Sequence, residues 1–219
     1  MDFVSPRRPV SLSLVGGRGH YDAVIAAVLA AQTSIWIATA NVKALLIEDH
    51  RARPGVRRGS GRATSYRSIL AALEDLAARG VELRLLHADQ ASRPFRAELE
   101  AHARLASGVL AMRTCPRVHL KAVIVDGAFL YLGSANWTGA GLGASGTGRR
   151  NFELGVITDD ATLLDQVQAL YDRIWRGAEC GACRLRAVCP APLDQRAAPA
   201  TTKAAARPAR RAGTPRRAT

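Results

Sequence analysis

The stretch from His119 to Asn136 reads H-L-K-A-V-I-V-D-G-A-F-L-Y-L-G-S-A-N, and it admits few conformations. Ala122 to Val125 is a buried-strand run, closed by the turn pair Asp126-Gly127. A second apolar run, Ala128 to Leu132, follows the turn and leads to Gly133-Ser134-Ala135-Asn136. Two such runs around a D-G pair predict a β-hairpin. His119 and Lys121 are alternate residues, and alternate side chains on an extended segment share a face. The hairpin therefore gathers an imidazole, an ammonium, a hydroxyl and an amide at one end. That set suits a phosphodiester: the histidine attacks or shuttles a proton, while lysine and asparagine hold the non-bridging oxygens as charge builds.

Written as a pattern, the stretch is H-x-K-x4-D-x6-G-S-x-N, filled by His119, Lys121, Asp126, Gly133, Ser134 and Asn136. This resembles the HKD signature of the phospholipase D superfamily at every position and spacing. The resemblance implies a two-histidine mechanism: one histidine forms a covalent phosphohistidine, the other protonates the leaving oxygen and then activates water. It implies no cofactor for catalysis. His20, His50, His87 and His102 are not followed by lysine two residues on, so the chain holds one signature. A second copy must then supply the second histidine, which predicts a homodimer with a shared active site on its two-fold axis. Asn151-Phe152-Glu153 resembles the downstream Asn-x-Glu of single-signature endonucleases, where the Glu fixes the tautomer of the nucleophilic histidine. The candidate catalytic set is thus His119, Lys121, Asp126, Ser134, Asn136 and Glu153. Asp126 sits at the far turn, which reads as a structural place within the signature.

Strands and helices alternate through the first half of the chain. Strands are expected at Val10–Val15, Ser34–Ala40, Val81–Leu86, Val109–Arg113 and Phe152–Thr158. Helices are expected at His20–Gln32, Ser65–Arg79, Arg93–Leu105 and Thr162–Trp175, the last capped by Asp159 or Asp160. Thr138–Arg150, with glycine at positions 139, 141, 143, 146 and 148, reads as a flexible loop beside the site. The pattern predicts an α/β fold, a mixed sheet covered by helices on both faces. This agrees with the phospholipase-D-like α-β-α sandwich that the resemblance implies over residues 10–176. The expected organisation is a catalytic domain at 1–176, a Cys-rich extension at 177–191 and a disordered basic C-terminal tail at 192–219.

The net charge of +13 is unevenly placed. Residues 195–219 carry seven basic side chains and no acid. Arg51, Arg53, Arg57, Arg58 and Arg62 fall in a loop from His50 to Thr64 that also holds no acid between them. Both segments are candidates for neutralising phosphates, the loop arginines as nucleic-acid-binding residues. The alternative is an arginine-rich composition with solvated loops, since the chain has 31 basic residues of which only Lys43, Lys121 and Lys203 are lysine. No apolar run is long enough for a transmembrane segment, and the N-terminus lacks the apolar core of a signal peptide. The default expectation is a cytoplasmic protein.

The chain has four cysteines, Cys115 and then Cys180-x2-Cys183-x5-Cys189. In a cytoplasmic chain this spacing points to metal rather than disulfides. The four form a candidate structural zinc site or iron–sulfur cluster, with a set of plain reduced thiols as the alternative. These readings favour a nuclease acting on DNA or RNA, with partners in a bacterial defence or restriction complex. A phospholipase or phosphatidyl-transfer enzyme and a non-catalytic nucleic-acid-binding component remain as alternatives. The low aromatic content of 5% and the lack of an amphipathic membrane-binding helix count against the lipid reading.

Overall fold

The computed structural model describes residues 3–49 and 65–195. The loop arginines and most of the basic tail lie outside the described residues. Within them the elements run β1 (Ser13–Gly16), a π-helical turn (Tyr21–Ile25) continuing into α1 (Ala26–Ala30), β2 (Ser34–Thr39), β3 (Leu46–Glu48), β4 (Tyr66–Ser68) and α2 (Ile69–Ala78). They continue with β5 (Glu82–His87), α3 (Arg93–Ala101), β6 (Leu110–Thr114), β7 (Ala122–Val125), β8 (Phe129–Gly133), β9 (Leu154–Thr158) and α4 (Ala161–Trp175). Seven strands form one sheet in the order β1-β9-β8-β7-β2-β5-β6. The pairs β2–β5 and β5–β6 are parallel. The pairs β2–β7, β7–β8, β8–β9 and β1–β9 are antiparallel. The mixed α-β-α sandwich expected from the sequence is the fold observed.

Alternation along each strand explains the layers. Ile35, Ile37, Leu83, Leu85, Val123 and Val125 face one side and pack with Val24, Val28, Leu70, Leu73 and Phe95 from the helices there. Trp36, Ala38, Ala122, Ile124 and Leu130 face the other side and pack with Leu164 and Tyr171 of α4. Both faces of β7 are covered, so all four of its residues are buried. That is why A-V-I-V carries no polar residue.

Some boundaries differ from the periodicity. The helix expected from Ser65 begins at Ile69, because Ser68 turns its Oγ to accept Leu70 N–H at 3.0 Å. The residues before that cap pair with β3 instead. The helix expected to reach Leu105 breaks at His102, and Gly108 then takes a φ of 99° ahead of β6. The Gly-rich segment after Thr138 is packed rather than open in its first half. Leu142 is 1% exposed. A Cβ on Gly141 would lie 2.6 Å from Asn136 O, so glycine is required for that close approach. At the other end of the chain, Leu193 is buried at 5% exposure. Arg113 donates to its carbonyl at 2.5 Å, so the folded extension runs past residue 191.

The hairpin is tied to the sheet at its turn. Asp126 adopts a φ of 54°, a left-handed conformation that Asp tolerates better than most residues. Its carboxylate accepts N–H bonds from Gln32 at 2.9 Å, Thr33 at 2.8 Å and Ser34 at 2.8 Å. These are the residues that start β2, so the signature aspartate sets the register of the β2–β7 pair. Burial raises the Asp126 pKa, but the hydrogen bonds from Ser34, Thr33 and Gln32 outweigh it and hold the carboxyl below its ordinary value. A depressed folded pKa stabilises above the unfolded pKa, and the contribution is lost as pH falls through the folded value. Asp126→Asn keeps the left-handed backbone and removes the charge. It is expected to lower the unfolding free energy by about 1–3 kcal/mol in urea at neutral pH, with the deficit shrinking on acidification. An unchanged midpoint at neutral pH would remove Asp126 from this role.

Candidate active site

His119 and Lys121 lie just ahead of β7, in an extended segment rather than within the strand. The alternation still holds. Lys121 Nζ lies 3.0 Å from both ring nitrogens of His119 and donates to the His119 carbonyl at 3.0 Å. His119 is exposed and Lys121 is buried at 9% exposure, so the ammonium backs an imidazole that faces outward. Desolvation lowers the Lys121 pKa from its ordinary value, and the Glu153 charge opposes that.

The return arm places the other members. Gly133 N–H donates to Lys121 O at 3.1 Å, so the Gly133–Asn136 turn stands directly across from the lysine. Ser134 Oγ donates to Glu153 Oε2. Asn151 Nδ2 donates to Glu153 Oε1 at 3.0 Å. Glu153 is thus brought to the site, bonded to Ser134 and Asn151 rather than to His119. Asn136 Oδ1 accepts the N–H groups of Ala40 and Asn41, each at 3.2 Å. The carbonyl end of the Asn136 side chain is thus fixed against the end of β2. Thr39, 1% exposed at the end of β2, accepts Trp137 N–H at 3.0 Å and locks the following residue. Asp126 is the exception within the signature: it lies at the far turn, the length of β7 away from His119.

Two buried residues that sequence reasoning did not single out support the turn. Tyr131 Oη lies 3.1 Å from His20 Nδ1, with the rings edge-on at 84°. Burial pushes the Tyr131 phenol up to about 12, against a hydrogen bond from the Ala135 backbone, with the Glu153 charge adding to the rise. Ala135 sits between Ser134 and Asn136, so the phenol holds the turn from beneath. The same ring explains the signature glycine. A Cβ on Gly133 would collide with Tyr131 Oη and stand 2.8 Å from both Gly155 Cα and Leu154 O. Gly155, its cross-strand partner, has no side chain for the same reason. Only the Tyr131 position, alternate to Gly133 on β8, hinted at this. Among the described residues, His87 Nδ1 lies 2.8 Å from Asp89 O, and His102 is bonded to Glu74.

Cys115, Cys180, Cys183 and Cys189 line one small cavity between the end of β6 and the extension. All four are free thiols. No three Cys, His, Asp or Glu side chains among the described residues converge closely enough to hold a single metal ion. No helix among the described residues is long and apolar enough to cross a membrane.

Gly133→Ala is expected to destabilise the fold by about 1–3 kcal/mol, the range for overpacking a fixed core. Thermal unfolding at the wild-type temperature would contradict the close approach of Tyr131.

A family model described as "Cardiolipin synthase, PLD-like domain" matches residues 24–175. No curated protein matches the sequence. Among solved structures, the phospholipase D family member Nuc from Salmonella typhimurium aligns with a TM-score of 0.52 and 20% identity, over 76% of this chain and 95% of Nuc. NucT from Helicobacter pylori aligns with a TM-score of 0.49 and 17% identity, over 75% of this chain and 95% of NucT. Phosphatidylserine synthase from Haemophilus influenzae gives 0.46 and 16%, over 75% of this chain and 38% of that one. At these identities the first likeness speaks to the fold alone. The family match spans the whole sheet from β2 to β9 together with α4, and it encloses every signature residue. The chain therefore belongs to the phospholipase-D-like domain family, within the phospholipase D superfamily.

Proposed function

We propose that the chain is a metal-independent phosphodiesterase that cleaves nucleic acid through a phosphohistidine at His119. The observation that carries this reading is the outward-facing His119 backed by the buried Lys121 ammonium, across from the tethered Asn136 amide. A neutral His119 ring nitrogen attacks phosphorus, forming an N–P bond as the P–O bond to the leaving group breaks. A second, protonated histidine gives its proton to the leaving oxygen. That histidine then takes a proton from water, whose oxygen displaces His119 and releases the phosphate ester. Lys121 and Asn136 donate to the non-bridging oxygens as charge concentrates there.

The second histidine is His119 of another copy. His20 and His87 are buried, and His102 is bonded to Glu74, so among the described residues one chain offers one exposed signature histidine. The surface beside the half-site supports self-association. Leu14 on the edge strand is 67% exposed, Leu154 is 59% exposed, and Phe152 next to Glu153 is fully exposed. An isologous contact that covers these side chains and sets the two imidazoles across a two-fold axis completes the chemistry. The net charge of +13 and isoelectric point near 10.9 favour a polyanionic substrate, with Arg51, Arg53, Arg57, Arg58 and Arg62 as its proposed contacts. The family description also names cardiolipin synthase, so phosphatidyl transfer is the second reading.

The test is an assay in EDTA on single-stranded DNA, duplex DNA, RNA and phospholipid vesicles. Nucleic-acid cleavage is expected to survive EDTA and to fall at least about a hundredfold in His119→Ala. Acid-labile phosphate should be trapped on the wild type and absent from the variant. Turnover of vesicles alone would install the lipid reading, and loss of cleavage in EDTA would overturn the mechanism. For the assembly, Leu154→Glu is expected to give a monomer by sedimentation and to lose activity with the fold intact. A fully active monomer would refute the shared site.

A further inference from the structure

We propose that Cys115, Cys180, Cys183 and Cys189 hold an iron–sulfur cluster that clamps the C-terminal extension to the sheet beside His119. Every cysteine of the chain lines the same cavity. Cys115 follows β6, whereas the other three come from a segment beyond α4, so the convergence is made by the fold and not by sequence proximity. None is paired in a disulfide. No three ligand groups among the described residues converge as a single zinc ion would need. A cluster spreads its irons over several corners, each iron taking one or two cysteines. On that ground the site is read as a cluster rather than zinc.

The surroundings of the sulfurs suit thiolates. Arg186 N–H donates to the Cys183 carbonyl at 3.0 Å, which folds the segment around that cysteine. Arg117 and Arg186 both line the cavity and offset the charge left when the four thiols lose their protons on ligation. Beyond the Arg113 bond to the Leu193 carbonyl and the Arg186–Asp194 ion pair, the extension has few contacts to keep it folded. Its Leu185 and Val188 are 40% and 76% exposed, and Leu193 is its one large apolar side chain in the core. A short segment with so little buried surface is held by a cross-link or a metal more readily than by packing.

The site also reaches the chemistry. Val118 N–H donates to Cys115 O at 2.9 Å, and Val118 is buried in the same apolar cluster as Cys115, Cys180 and Leu193. The next residue is His119. A cluster at Cys115 thus fixes the segment that presents the imidazole, a consequence that rests on the proposed role of His119.

The test is composition first. The full chain, produced with iron and sulfur supplied and purified without oxygen or chelator, is expected to carry iron and acid-labile sulfide in equal amounts, at least about two of each per chain. A broad visible absorption should bleach with dithionite. Cys180→Ala and Cys189→Ala should each lose most of the iron, while His119→Ala keeps it. Retention in His119→Ala separates this proposal from the catalytic one, because the metal is read without any substrate. One zinc per chain without sulfide would overturn the cluster. Neither iron nor zinc in the anaerobic wild type would overturn the metal site altogether, whatever the variants do.

Discussion

The grip of Asp126 on the start of β2 is the contact from which the rest of the hairpin takes its position. One half-buried carboxylate collects the N–H groups of three successive residues, Gln32, Thr33 and Ser34. The return bond, Asp126 N–H to Ser34 O at 2.9 Å, closes the pair. A one-residue slip of β7 against β2 would turn every side chain to the wrong face. Val123 and Val125 would leave the core shared with α1 and α2, and His119 and Lys121 would be displaced together relative to the end of β2. The aspartate of the signature acts at a distance: it sets a register, and the register sets the site.

The opposite end of the hairpin is governed by a packing constraint. The Tyr131 ring lies under the β8–β9 pair where Gly133 faces Gly155, and no Cβ fits at either position. The absence of side chains lets the turn drop close to the strand behind it. Ser134 then meets both Glu153 and the Leu154 backbone. Asn136 reaches the N–H groups beyond β2. The turn is held by backbone donors and a buried phenol, so its amide and hydroxyl are in place before substrate arrives, which is the condition for electrostatic stabilisation to be effective.

These two constraints explain what the sequence made legible. The signature residues, the hairpin and the sandwich were readable because each follows from a period or a fixed spacing: alternate placement of His119 and Lys121, an uninterrupted apolar β7, a D-G turn. Asp160 as a helix cap follows from local hydrogen bonding and is nearly as visible, whereas Ser68 is hidden inside an apparently helical run. Long-range packing was not legible. Nothing local marks Tyr131 as a support for the turn, or His20 as its partner. The Gly-rich segment after Thr138 looked flexible because composition reports freedom of the backbone and not its use. Gly141 and Gly143 spend that freedom on close approach to Asn136 and Gly17. Leu193 reads as part of the tail because its neighbours are small and polar, yet it is buried, with Arg113 on its carbonyl.

Lys121 depends on both constraints. A lysine buried at 9% exposure in an apolar hairpin is unfavourable unless something repays the desolvation. Its one carbonyl bond and the single acceptor nitrogen of the His119 ring satisfy part of its donor capacity, and the Glu153 charge supports the ammonium from just ahead of β9. What remains is an ammonium short of acceptors at the rim of an open half-site. In the proposed reaction a phosphodiester oxygen supplies the missing acceptor, and the phosphorane formed during attack supplies a stronger one. The interaction grows as the reaction proceeds, and that growth, rather than tight binding of the ground state, is what lowers a barrier.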